Sequence, residues 1–176
     1  MGDVGPTPSQ TVGPFFNIGF RWLHTPELVE TDHPGAIRLE GQVLDGNGDP
    51  VPDSVVEIFQ ADDRGRFSPD TDPAWPGFGR CLSDDSGRYH FVTVKPGPVA
   101  PGTAPHIDVS VFARGLLQRV VTRCYFADEE PSNAGDPLLR SIDADRATTL
   151  IAVADGAGYR FDVHLQGDRE TVFFAW

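Results

Sequence analysis

The sequence has little that would suit a metal-stapled, membrane-bound or secreted chain. Cysteine occurs only twice in 176 residues, at Cys81 and Cys124. No CxxC, CxxH or HxxxH spacing is present, so nothing points to a structural zinc. Neither cysteine has a basic setting that argues for a reactive thiolate. Both are expected as reduced, half-buried thiols, not as a disulfide. No stretch approaches the roughly 20 apolar residues of a membrane span. The opening MGDVGPTPSQ has neither a basic n-region nor an apolar h-region. A cytoplasmic chain free of membrane is the expectation.

Positive charge is also scarce. Lys and Arg number 14 against 26 Asp and Glu, for a formal charge of -12. Such a field repels a phosphate backbone on average, which argues against a nucleic-acid partner. The few cations could still gather into one local anion site. No G-x-S-x-G, GxxxxGK[ST] or G-x-G-x-x-G fingerprint occurs, so no nucleophile elbow, P-loop or dinucleotide fold is marked. No repeat and no low-complexity tract is visible.

Turn chemistry is abundant. Gly 19 and Pro 16 suit short strands joined by tight turns and suit long helices poorly. Alternating strands are read at 37–44 (IRLEGQVL), 55–60, 88–94 (RYHFVTV), 106–113 (HIDVSVFA), 117–126, 148–153, 159–165 and at the terminal TVFFAW. Turns are marked by D-G-N-G-D-P at 45–50 and D-D-S-G at 84–87. Residues 61–80 read as a long loop. Residues 127–147 read as an acidic loop with one short helical turn near 136–143. Seven or eight strands at this spacing predict an all-β sandwich in a single domain over 23–176. Residues 1–22 precede it as an extended arm. Its apolar run (Phe15, Phe16, Ile18, Phe20, Trp22) must dock either on the home core or on a neighbour.

Candidate chemistry is sparse. His106 and Asp108 lie at i and i+2, so they share one strand face. With Ser110 that face is polar, which fits plain solvent exposure as well as a ligand pair. His90 and His164 read as half-exposed strand histidines. Tyr89, Tyr125 and Tyr159 read as strand packing with the hydroxyl at an edge. Arg114 closes the 106–113 strand before Gly115. A guanidinium at such a strand end can grip a carboxylate, although a surface hairpin arginine has the same sequence.

Several motifs together resemble one family, the intradiol ring-cleaving dioxygenases. They are T-P-S-Q-T-V-G-P-F-F at 7–16, L-x-G-Q-V-x-D-G-N-G at 39–48, V-V-E-I-F-Q-A-D at 55–62 and F-G-R at 78–80. D-x-G-R-Y-x-F-x-T-V-K-P-G at 85–97, A-P-H-I-x-V-S-V-F-A-R-G at 104–115, T-R-x-Y-F at 122–126 and Y-R-F-D-V-x-L-Q-G-x-x-E-T-V-F-F at 159–174 continue them in order. The resemblance implies an aromatic-ring-dioxygenase β-sandwich. It implies a ferric ion (Fe3+) held in catalytic chains by two tyrosines and the two histidines of H-I-H.

This sequence departs from that set. The loop 61–77 has no tyrosine, Val99 follows K-P-G-P where the second tyrosine would stand, and H-I-D replaces H-I-H. Thr103 stands nearest to the family's arginine before the histidines. The resemblance therefore implies no catalytic residue and no metal in this chain, with His106, Asp108 and Val99 as vestigial positions. It implies an α chain in repeated αβ units, with Fe3+ in the β subunit. The shared activity would be O2-dependent opening of 3,4-dihydroxybenzoate to 3-carboxy-cis,cis-muconate. Thr11, Gly13, Pro14 and Arg114 match positions that wall the partner's pocket. Two other readings stay open: a catalytic intradiol dioxygenase with an altered metal site, and a non-enzymatic carrier sandwich. The missing tyrosines weigh against the first; the arm and motif order weigh against the second.

Overall fold

A computed structural model describes Gly5 and residues 7–67, 75–156 and 158–175. Among them nine strands are formed: β1 (Ala36–Leu44), β2 (Val55–Phe59), β3 (Phe78–Leu82), β4 (Arg88–Val94), β5 (His106–Phe112), β6 (Val120–Phe126), β7 (Ile151–Asp155), β8 (Gly158–Arg160) and β9 (Val163–His164). They follow one path, β3-β2-β5-β6-β7-β8-β1-β4, with β9 beside the end of β1. The leaf β3-β2-β5-β6 is antiparallel throughout. Strand β7 joins the two leaves: Ile151 and Ala152 pair parallel with β6, while Val153 to Asp155 pair antiparallel with β8. The sheet thus wraps almost closed. At the open seam, the N–H of His90 on β4 donates to Cys81 Sγ on β3 at 3.5 Å.

Alternation decides which side of each strand is buried. Leu39, Gly41 and Val43 of β1 face inward, as do Ile107, Val109 and Val111 of β5. They meet Phe91, Phe126, Phe161 and both cysteines in one core. Gly41 is a packing requirement: a Cβ there would strike the Phe161 carbonyl, which accepts the Tyr89 hydroxyl. Turns are built by aspartates. Asp45 Oδ1 accepts from the N–H of Asn47 (2.8 Å) and Asp49 (2.9 Å). Asp84 Oδ1 does the same for Ser86 (2.8 Å) and Arg88 (2.9 Å).

Several expectations are corrected. Residues 78–80, read as the end of a loop, form β3 together with Cys81 and Leu82, paired along its length with β2. The acidic stretch holds three short helices: α2 (Glu130–Gly135), α3 (Pro137–Arg140) and α4 (Ala144–Ala147). They cover the outer side of β6, where Leu139 and Leu150 pack on Tyr125. Residues 148–150 form a 3₁₀ turn, so β7 starts only at Ile151. The stretch 159–165 divides into β8 and β9, and β6 begins at Val120 rather than 117. Of the terminal TVFFAW, the described residues 171–175 make single backbone bonds, Thr171 to His164 and Phe174 to Val121, in place of a ladder, and Trp176 lies outside the described residues. Both thiols are fully buried and free. Tyr89 and Tyr125 are buried with their hydroxyls inside, not at an edge. Among the described residues no helix is long and apolar enough to cross a membrane.

Candidate functional site

The arm is helical where its apolar run begins. Pro14 opens helix α1 (Pro14–Phe20) behind Gly13, where a missing N–H costs nothing. A 3₁₀ turn follows over Arg21–Leu23. The apolar run divides between two faces. Phe16 packs on Phe112 of β5, with ring centroids 5.3 Å apart, and on Phe20 at 4.6 Å. The Arg80 guanidinium lies 4.4 Å over the Phe20 ring while its Nε donates to Glu57 Oε1 at 2.8 Å. Arg80 therefore couples β3, β2 and the arm. On the other face Phe15 and Trp22 stay 81% and 78% exposed. The arm thus docks at home and also presents an apolar outer face.

This docking brings the arm to the end of β5. The chain turns there at Gly115, whose positive φ of 93° suits glycine. The Gly115 N–H donates to Thr11 Oγ1 at 2.7 Å, joining positions 104 apart in sequence. Beside it, Arg114 Nη2 lies 3.2 Å from Asp53 Oδ2. Both side chains are about half exposed, so the pair contributes at most about 1 kcal/mol. Its role is orientation: Asp53 steadies the guanidinium and leaves other N–H groups facing solvent. Gly13 has extended backbone and nothing within 4 Å of where a Cβ would stand. A hollow of about 190 Å³ lies alongside, lined by Val12, Phe16, Phe112 and Leu116. Thr11, Gly13 and Arg114 are exposed, and the Thr11–Gly115 bond brings the arm segment that leads into Pro14 to the turn carrying Arg114. Ala113, which precedes Arg114 in the chain, lines that hollow.

The other end of β5 is different. His106, expected at solvent, is 6% exposed. Its Nδ1 donates to the Ala104 carbonyl at 2.8 Å, and its ring lies 5.5 Å from that of Tyr125. Burial holds its imidazole below the usual histidine range. Asp108 Oδ1 accepts from Arg123 Nε at 2.9 Å. Buried Asp136 accepts from the backbone N–H of Ala104 (2.9 Å), Leu138 (2.9 Å) and Leu139 (3.1 Å), and from the Tyr125 hydroxyl at 3.4 Å. Val99 is half-buried and offers no donor atom. Thr103 Oγ1 is occupied within its own turn, donating to the Ala100 carbonyl at 2.8 Å. Among the described residues no three His, Cys, Asp or Glu groups converge as metal ligands. These residues do not fit a ferric ion.

Sequence reasoning did not find Asp53, Arg80, Arg123 or Asp136. Arg123 and Tyr125 did carry a signal, since their i, i+2 spacing puts them on one face. Pairing across strands needs the register, which the sequence does not display.

A family model described as Dioxygenase matches residues 13–167. The alpha chain of protocatechuate 3,4-dioxygenase from Burkholderia cepacia is 42% identical, covering 96% of each chain. That of Pseudomonas putida is 43% identical, covering 96% of this chain and 95% of its own. The Burkholderia cepacia beta chain is 34% identical over 81% of this chain and 70% of its own. Among solved structures, the dioxygenase domain of a carbohydrate-binding fusion from Streptomyces sp. SirexAA-E superposes with a TM-score of 0.65. It is 26% identical and covers 82% of this chain and 88% of that one.

Proposed function

The chain belongs to the dioxygenase family, the intradiol ring-cleaving enzymes, and we propose that it serves there as the alpha chain of a protocatechuate 3,4-dioxygenase. The reaction is the opening of 3,4-dihydroxybenzoate by O2 to 3-carboxy-cis,cis-muconate. Ferric iron and its ligands belong to a beta-type partner in repeated αβ units, and no step of the ring opening runs through this chain's own residues. Its exposed edge supplies part of the pocket wall: Arg114 takes the substrate carboxylate, and the Thr11–Pro14 segment borders the ring. The outward Phe15, Ile18 and Trp22 of the arm give the partner an apolar surface. Free, buried Cys81 and Cys124 accord with a reducing cytoplasm.

The observation that carries this reading is the junction of arm and strand. The Thr11–Gly115 hydrogen bond ties the arm to the turn that carries Arg114, and an apolar hollow lined by Val12 and Ala113 lies beside it. The test is Arg114→Ala in the complex with a beta-type chain. The expected result is a KM for 3,4-dihydroxybenzoate about tenfold higher, equivalent to about 1.4 kcal/mol, with assembly unchanged. A ring lacking the carboxylate should show no such rise. An unchanged KM for 3,4-dihydroxybenzoate removes Arg114 from the pocket.

A further inference from the structure

We infer that Arg123 is a built-in counter-cation that closes the His106–Asp108 position to metal ions. The antiparallel register sets His106 opposite Tyr125 and Asp108 opposite Arg123. Four polar side chains therefore share the outer face of β5 and β6. A metal site needs several lone pairs turned toward one point. Here they are spent on the protein. Asp108 Oδ1 accepts from Arg123 Nε at 2.9 Å. His106 Nδ1 carries the proton it donates to Ala104, which leaves Nε2 as the ring's one lone pair. The Tyr125 hydroxyl is turned to Asp136.

The guanidinium adds a second barrier. It cannot lose its proton, so a full positive charge stands within hydrogen-bond distance of the carboxylate any cation would need. The chain carries this charge itself, whatever the iron supply around it. The two donors left from an H-I-D sequence are thus kept from becoming a weak, adventitious site. Iron entering an assembly of related chains then has no competing position here. This inference does not depend on the substrate role of Arg114.

The test uses Co2+ as the probe, titrated into the full chain with and without substitutions at position 123. Arg123→Gln should bind Co2+ at least tenfold more tightly than the unaltered chain. Arg123→Lys, which keeps the charge, should behave like the unaltered chain. Adding Asp108→Asn to Arg123→Gln should abolish the gain. Equal affinity in the unaltered chain and Arg123→Gln overturns the inference. A measurement on the unaltered chain stands independently of how the variants fold. Its His106 ring resonances should stay sharp with equimolar Co2+, and paramagnetic broadening of them would also overturn it.

Discussion

Strand β5 begins in one polar environment and ends in another. Around His106 each side chain is paired within the chain: imidazole Nδ1, the Asp108 carboxylate, the Arg123 guanidinium, the Tyr125 phenol and the buried Asp136 carboxylate bond to one another or to backbone, and the imidazole keeps only its Nε2 lone pair. At Arg114 the groups are half exposed and loosely paired, with open space at Gly13 and an apolar slot beside them. The closed end spends its polarity on stability. The open end leaves its polarity available to something outside the chain. The same strand type and the same residue chemistry thus serve opposite ends, and the difference is how many partners the fold supplies.

The largest expected effect tests the closed end. Asp136→Ala leaves the buried N–H groups of Ala104 and Leu139 and the partly buried one of Leu138 unpaired, and should cost about 3 kcal/mol in denaturant unfolding. A loss below about 0.5 kcal/mol would mean that water replaces the carboxylate and the end is not closed. A smaller effect is expected at the open end. Phe20→Ala removes the ring beneath Arg80 and should weaken arm docking by about 1 kcal/mol. Amide exchange over 14–23 should quicken while exchange in β5 stays the same. Equal protection of the arm in both proteins would show that Arg80 does not hold it.

The smallest effect concerns alkaline pH. Burial, first among the causes, pushes the Tyr125 phenol up to about 12. An unfolded tyrosine ionises near about 10, so above that pH the unfolded chain releases a proton that the folded chain keeps. The stabilising contribution is therefore complete below about pH 10 and is lost as pH rises toward about 12. Melting temperature should fall across that window, and Tyr125→Phe should fall less steeply. Parallel curves would place the phenol in contact with water.

Strands with one buried face were legible in the sequence. Residues 107–112 alternate because every second side chain enters the core, and 88–91 do the same before β4 becomes buried on both faces over 91–94. Strand β3 was not, for a physical reason. Its Gly79 reads as a loop residue, yet a Cβ there would meet Leu28 Cδ1 at 2.5 Å and Phe91 Cδ1 at 3.2 Å. The glycine is a packing requirement of the strand. Helices α2 to α4 are too short for a helical period to show. Helix α3 rests on the Asp136 cap and on packing against Tyr125. Thr11 and Arg114 were legible through family motifs, whereas Asp53 and Arg123 required the register between distant strands.

Strand β1 carries a consequence for synthesis. Its residues 38–40 pair parallel with β8 at 158–160, and Val43 and Leu44 pair with Val163 and His164. One side of a strand made early must therefore wait more than a hundred residues for its neighbour. Closing so long a loop is entropically slow, and an unpaired edge left open meanwhile can pair with another nascent chain. The sandwich can close only after those late strands have left the ribosome. Production of this chain should therefore be more sensitive to translation pauses just before residue 158 than to pauses elsewhere.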